Sequence, residues 1–256
     1  MTDAIDTGTA TDAWKQWHEE RTASVSAPYG PLSLTGTHWL DDHPDGRLPA
    51  IPGQWRVDGD AVVRTVDGVR TRYGADATVP LGERRLVVIV REGLWGVRDF
   101  DPAAPARTAF LESGGIDATP YDPRWSADGR FTPYEDGPTA VRVENADGRH
   151  RALGLAGELA FTLAGQRHTL QVARQGDGRL WAVFADATSG HGSYRFRFLY
   201  AAAPDADGRT TVDLNRATLP PCAFADHFVC PFPPPGNTLP VDIAAGERNL
   251  TAAPTV

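Results

Sequence analysis

A chain of 256 residues with 41% hydrophobic and 23% charged side chains has the composition of an ordinary globular protein, which excludes a disordered or fibrous one. Its 33 acidic against 25 basic residues give a net charge of -8, a field that repels nucleic-acid phosphates and anionic lipid. Two cysteines are too few for a disulfide framework at this length, and the longest strongly apolar run, Leu86 to Val90, is far below the roughly 20 residues of a membrane-spanning helix. We therefore expect a single cytoplasmic domain, 1–256, with neither nucleic acid nor membrane as a partner.

The first residues, Met1 to Ala10, show no basic region followed by an apolar run, so no secretory leader is expected there. One helix is predicted over 12–23, with Trp14, Trp17 and Arg21 on one stripe at spacings of three and four, and Thr11 or Asp12 as the cap. Its two indoles are expected to pack on a sheet.

Beyond the helix, short alternating runs are separated by turn pairs, the strongest local hairpin signal. Asp58-Gly59-Asp60, Asp67-Gly68 and Glu92-Gly93 punctuate the first half in this way. Asn145 to Gly148, Ala164-Gly165, Gly176-Asp177-Gly178 and Asp207-Gly208 do so in the second, the last joining Tyr194–Tyr200 to Arg209–Leu214. No helices recur between the runs, so parallel crossovers are not indicated. The prediction is an antiparallel meander over 32–214, closed as a β-barrel or barrel-like sandwich, with an irregular loop over 101–138 where Pro, Gly and Asp accumulate. Seven prolines between Pro220 and Pro240 mark 215–250 as an extended strap that other parts of the fold must hold.

The densest motifs are Phe184-Ala185-Asp186-Ala187-Thr188-Ser189-Gly190, Tyr194 with Arg197-Phe198-Leu199, and Asp213-Leu214-Asn215-Arg216. They continue through Pro221-Cys222-Ala223-Phe224, Cys230-Pro231, Asn237, Leu239-Pro240 and Ala245-Gly246-Glu247. In order and spacing this series resembles the C-terminal signature of the domain-of-unknown-function 1684 family. The helix, Thr37-His38-Trp39-Leu40 and Gly96-Val97-Arg98-Asp99 extend the likeness over nearly the whole chain. The resemblance implies no activity, cofactor or catalytic residue. One departure is Ala217-Thr218-Leu219, where similar sequences place an aromatic residue soon after the arginine.

The signature gathers more polar side chains than a fold needs. If the turns and strap bring them together, Asp186, Asp213 and Glu247 would supply acid and base chemistry, while Arg98, Tyr194, Asn215, Arg216 and Asn237 would bind a small polar or anionic ligand. The alternative is a non-enzymatic scaffold or interaction protein in which these residues bond turn backbone and anchor the strap. Whether the chain is an enzyme stays open, as does its oligomeric state.

Several weaker constellations have bland readings beside them. Cys222, His227 and Cys230 fit a zinc half-site, a disulfide or two packed thiols, the last being the favoured reading because free cysteine is among the most buried residue types, and a nucleophilic cysteine lacks evident low-pKa surroundings. Thr37-His38-Trp39-Leu40-Asp41-Asp42-His43 is read as a solvated loop rather than a metal site, and His191 as a turn residue. Arg195 and Arg197 alternate with Tyr194, Phe196 and Phe198, and are expected to face water, or an anion-binding lumen if the sheet closes. No metal or cofactor is expected. Phosphate-binding glycine loops and hydrolase elbows are absent, and a flavin-binding split barrel is a distant third reading.

Overall fold

The structure, a computed structural model, describes residues 7–251, so part of the Met1 to Ala10 reading lies outside the described residues. It is mainly β, with antiparallel, curled sheets and an N-terminal helix, as the turn spacing predicts. The chain divides into two compact units, one of residues 23–113 and one of residues 1–22 with 114–256.

The helix α1 spans Thr7–Val25, longer at both ends than 12–23. Thr11 and Asp12 therefore lie inside it rather than at its cap, and Asp12 instead accepts from Lys15 Nζ at 3.2 Å, one turn on.

The unit of residues 23–113 holds β1 (Leu34–Trp39), β2 (Gln54–Asp58), β3 (Ala61–Val66), β4 (Val69–Tyr73), β5 (Thr78–Leu81), β6 (Arg84–Arg91), β7 (Leu94–Phe100) and α2 (Pro105–Ser113). Strands β2, β3 and β4 form a meander, and a second sheet has the order β1-β7-β6-β5. The turn pairs work as their chemistry demands: Asp67 and Gly68 have φ of 49° and 80°, and Glu92 and Gly93 have 48° and 81°. Left-handed backbone at both positions is what lets a two-residue turn follow the twist of its strands. The core of this unit is Trp55, Val62, Leu86, Val88 and Val97.

The second unit continues with β8 (Gly115–Ala118), β9 (Ser126–Pro133), β10 (Thr139–Glu144), β11 (His150–Leu155), β12 (Gly157–Leu163), β13 (Gln166–Arg174), β14 (Leu180–Asp186), β15 (Arg197–Ala201), β16 (Arg209–Asp213), β17 (Thr238–Leu239) and β18 (Glu247–Thr251). Its main sheet runs β15-β14-β13-β12-β9-β16, with β17 added in parallel to β14. Strands β15 and β16 stand at opposite ends of that order, yet Thr218, just past β16, bridges to Phe198 of β15. The sheet thus curls toward closure, over a core of Phe131, Leu159, Phe161, Leu170, Phe184 and Val212. Each such side chain contributes about 1.5–3 kcal/mol when fully buried.

Two expectations are corrected. The loop over 101–138 contains α2, β8 and β9. Its prolines mark starts rather than disorder: Pro105 opens α2 and Pro123 opens a 3-10 turn, positions where a missing N–H is harmless. Second, Tyr194–Tyr200 and Arg209–Leu214 do not pair as a hairpin; β15 pairs with β14, and β16 with β9. Asp207-Gly208 does make a turn, with Gly208 N–H donating to Asp205 O at 3.0 Å, but Val212 is buried on the β9 side against Gly129, where a Cβ would stand 2.7 Å from Val212. Distant packing, not the turn, selects the partner.

The strap over 215–250 is held by its neighbours, as prolines require. Ala185 N–H donates to Asn237 O, Ala187 to Val241 O, Phe232 to Glu144 O, Ala146 to Cys230 O and Tyr194 to Arg248 O. It ends in β18, which pairs with β8. No described helix is long and apolar enough to cross a membrane.

Candidate functional site

Strand β14 ends at Asp186, where the chain turns through Ala187-Thr188-Ser189-Gly190. The Asp186 carboxylate is buried. Oδ1 accepts from Thr188 N and Thr188 Oγ1, both at 2.7 Å, and from Ile243 N at 3.4 Å, while Oδ2 accepts from Arg197 Nη2 at 2.5 Å. Arg197 is 0% exposed, and its other bonds run to strap carbonyls: Ala245 O at 2.5 Å, Ile243 O at 3.0 Å and Glu247 O at 3.3 Å. Burial pulls the guanidinium below its usual pKa although Asp186 beside it pushes the other way. The pair is therefore a means of carrying strap carbonyls into the core, not a surplus of Coulomb energy. This corrects the expectation for Arg197, which faces neither water nor a lumen.

Glu247 is likewise 0% exposed. Its Oε1 accepts from Arg21 Nε at 3.0 Å and its Oε2 from Leu219 N at 2.7 Å, while Arg21 Nη2 donates to Leu219 O at 3.0 Å. The helix stripe thus meets the chain after β16: Arg21 lies over the Phe224 ring and Trp14 Nε1 donates to Asn215 O at 2.9 Å. Asn215 closes a second knot, accepting from Asp122 N at 3.0 Å and donating to Asp122 O at 3.0 Å and Asp213 Oδ1 at 2.9 Å. Asp213 also caps the 3-10 turn through Asn215 N and pairs with Arg216 at 3.3 Å, and Arg216 covers the Trp17 ring. Asn237 accepts from Gln171 N at 2.8 Å and donates to Gln171 O and Val183 O, both at 2.9 Å.

Of the eight residues singled out from sequence, Asp186 and Glu247 are joined through Arg197, Asp213, Asn215 and Arg216 form a separate knot, and Asn237 stands on the β13–β14 side. Arg98 belongs to β7 in the other unit, opposite Thr37 and Val87. Tyr194 donates through its hydroxyl to Cys222 O at 3.2 Å and reaches Cys222 Sγ at 3.7 Å. Burial pushes the Tyr194 hydroxyl up to about 12, with the Cys222 sulfur adding to it. Both cysteines are free thiols, each buried. Cys222 is lowered to about 7, first by a hydrogen bond from Cys230, then by Tyr194 and Arg195 against the opposing effect of burial. The sequence missed this setting because Arg195 sits far from Cys222 along the chain. His38 and His43 have ring centroids 6.0 Å apart, and no group of three or more His, Cys, Asp or Glu suited to a metal occurs among the described residues.

Two open clefts of this unit are lined by other residues. One, about 490 Å³, is lined by Asp128, Arg130, Ala160, Thr162, Arg167, Arg209 and Thr210 among others; another, about 350 Å³, lies beside Arg174 and Asp205. In the first, Arg130 and Arg209 are direct cross-strand neighbours and small Ala160 stands opposite Arg130 on the next strand, leaving a hollow. Arg209 pairs with Asp207 at 2.8 Å, whereas Arg130 and Arg167 make no ion pair among the described residues.

Comparison with known proteins adds a family but no chemistry. A family model described as "Protein of unknown function (DUF1684)" matches residues 112–248. An uncharacterized protein of Haloarcula marismortui, solved by solution NMR, is 33% identical over 52% of this chain and 76% of its own, with a TM-score of 0.43. No curated protein matches.

Proposed function

The chain belongs to the DUF1684 family, whose description supplies no activity, and from its own geometry we propose that it is a non-enzymatic scaffold or interaction protein whose signature residues anchor the strap. One observation carries this reading. The buried side chains of Asp186, Asn215 and Glu247 direct hydrogen bonds to turn and strap main chain or to the cations that hold it, and Asn237 ties the strap to the main chain of β13 and β14. A general acid or base needs a substrate within hydrogen-bond reach, and these carboxylates are ringed by protein donors instead. The test is Asp186→Asn in the full chain. The scaffold reading expects its urea midpoint to fall by an amount equivalent to about 3 kcal/mol or more, because Arg197 is left buried without its counter-charge. An unchanged midpoint would remove the reading.

A second reading, a small anionic ligand, is favoured by the arginine-lined cleft. Like charges directly opposite across strands destabilise a sheet, and a dianion between Arg130 and Arg209 would relieve that repulsion. Inorganic phosphate should then raise the melting temperature of the wild-type chain and not of an Arg130→Ala, Arg167→Ala variant. Equal stabilisation by sodium chloride at matched ionic strength would dismiss it.

A further inference from the structure

The strap segment between Cys222 and Cys230 folds back on itself. Cys222 N–H donates to Cys230 Sγ at 3.3 Å. The intervening Asp226 and His227 are exposed, while Phe224 and Phe228 beside them are buried. Three further groups converge here. The Tyr194 hydroxyl is 3.7 Å from Cys222 Sγ, the Arg195 guanidinium interacts with the same sulfur, and Phe232 holds that guanidinium 4.6 Å above its ring. Two buried thiols that merely fill space have no need of a cation and a hydroxyl donor beside one of them, whereas a thiolate does.

We propose that Cys222 and Cys230 are a reversible dithiol that a hydroperoxide oxidises to an intramolecular disulfide, with Cys222 as the attacking sulfur. The Cys222 thiolate attacks one peroxide oxygen, the O–O bond breaks, and the other oxygen leaves as alcohol or water with a proton from solvent. Cys222 is then a sulfenic acid. The Cys230 sulfur attacks it, the S–O bond breaks, and hydroxide leaves as water with the Cys230 proton, forming the S–S bond. Two thiols are oxidised by one electron each and the peroxide is reduced by two. Burial of both sulfurs favours this small oxidant over a bulky disulfide reagent, since Cys222 is 5% and Cys230 6% exposed. The lowered pKa of Cys222, to about 7, supports its assignment as the first to react.

The experiment is stoichiometric hydrogen peroxide on the reduced full chain at pH 7, read by intact mass and peptide mapping. The expected result is the loss of two hydrogens, a crosslink between Cys222 and Cys230, and reversal by dithiothreitol. The crosslink should form in the native chain without denaturant. Cys230→Ser should stop at a sulfenic acid on Cys222 that dimedone traps, and Tyr194→Phe should slow that step several-fold. No crosslink in the native wild-type chain, or crosslinks only between molecules, would each overturn the proposal. The wild-type measurement decides even if a variant fails to fold.

Discussion

Asn237 shows how much one side chain can hold. Its amide serves Gln171 N, Gln171 O and Val183 O, all main-chain groups, and it is 0% exposed. Removing it leaves three backbone groups without that partner, one of them buried and two part-buried, and each such group costs about 1–3 kcal/mol where water cannot replace the bond. Asn237→Ala should therefore lower the unfolding free energy by about 3 kcal/mol or more. Arg216→Ala provides the contrast: its pair with Asp213 is 36% and 23% exposed, and exposed pairs contribute about 0–1 kcal/mol. Urea unfolding of the two variants side by side checks both values, and similar losses would contradict the assignment of Asn237 as an anchor. The sequence marked Asp186, Asn237 and Glu247 as unusual because polar residues cluster so densely in the signature motifs that run from β14 through the strap. It did not mark Arg197, since an arginine alternating with aromatics along a strand looks like a solvated face. Only the arrival of Ile243 and Ala245, some 50 residues later in the chain, turns that face into core.

Hairpins were legible for a local reason. At Asp67-Gly68 and Glu92-Gly93 the residues that tolerate left-handed backbone sit where a two-residue turn needs them, and nothing distant has to be known. The union of β16 with β9 was not legible, because its turn, Asp207-Gly208, looks the same as those that do make hairpins. Non-local pairing depends on which buried faces match, and that information is spread over both strands. The strap's attachment has the same character, and Gly246 tests it. Its φ is +71°, and a Cβ would lie 2.6 Å from Ala217 O and 2.8 Å from Leu214 O, the backbone of the turn after β16. Gly68 has φ of +80° with nothing within 4 Å. Gly68→Ala should thus cost only backbone strain, about 1 kcal/mol, while Gly246→Ala adds a clash with immovable carbonyls and should cost about 2–3 kcal/mol or more. Thermal unfolding of both variants measures the difference, and equal shifts would mean that the strap does not need its close approach.

At the scale of the whole molecule, the dependence of stability on pH is set by a few groups against a net charge of -8. On the acid side, burial raises the Asp147 carboxyl, but bidentate bonds from Arg151 at 2.8 Å and 2.7 Å outweigh it and hold the group below the usual carboxylate range. Its contribution is present above the unfolded value near 3.8 and is lost as pH falls through the folded one. The alkaline side is less ordinary. Cys222 is lowered from 9.0 to about 7, so the folded chain binds fewer protons in that interval; the resulting stability is complete above 9 and lost as pH falls through 7. Tyr194 is raised from 10.0 to about 12, so its contribution is complete below 10 and lost as pH rises through 12. Arg195 faces both groups and stays charged throughout, and Cys230 faces Cys222. In reducing buffer the unfolding free energy should accordingly rise between pH 7 and 9 by on the order of 1–2 kcal/mol, after discounting the full shift for solvent screening. It should level between 9 and 10 and then decline. Cys222→Ser should flatten the rise while leaving the acid limb in place; an identical alkaline slope in that variant would show that the thiolate does not stabilise the strap.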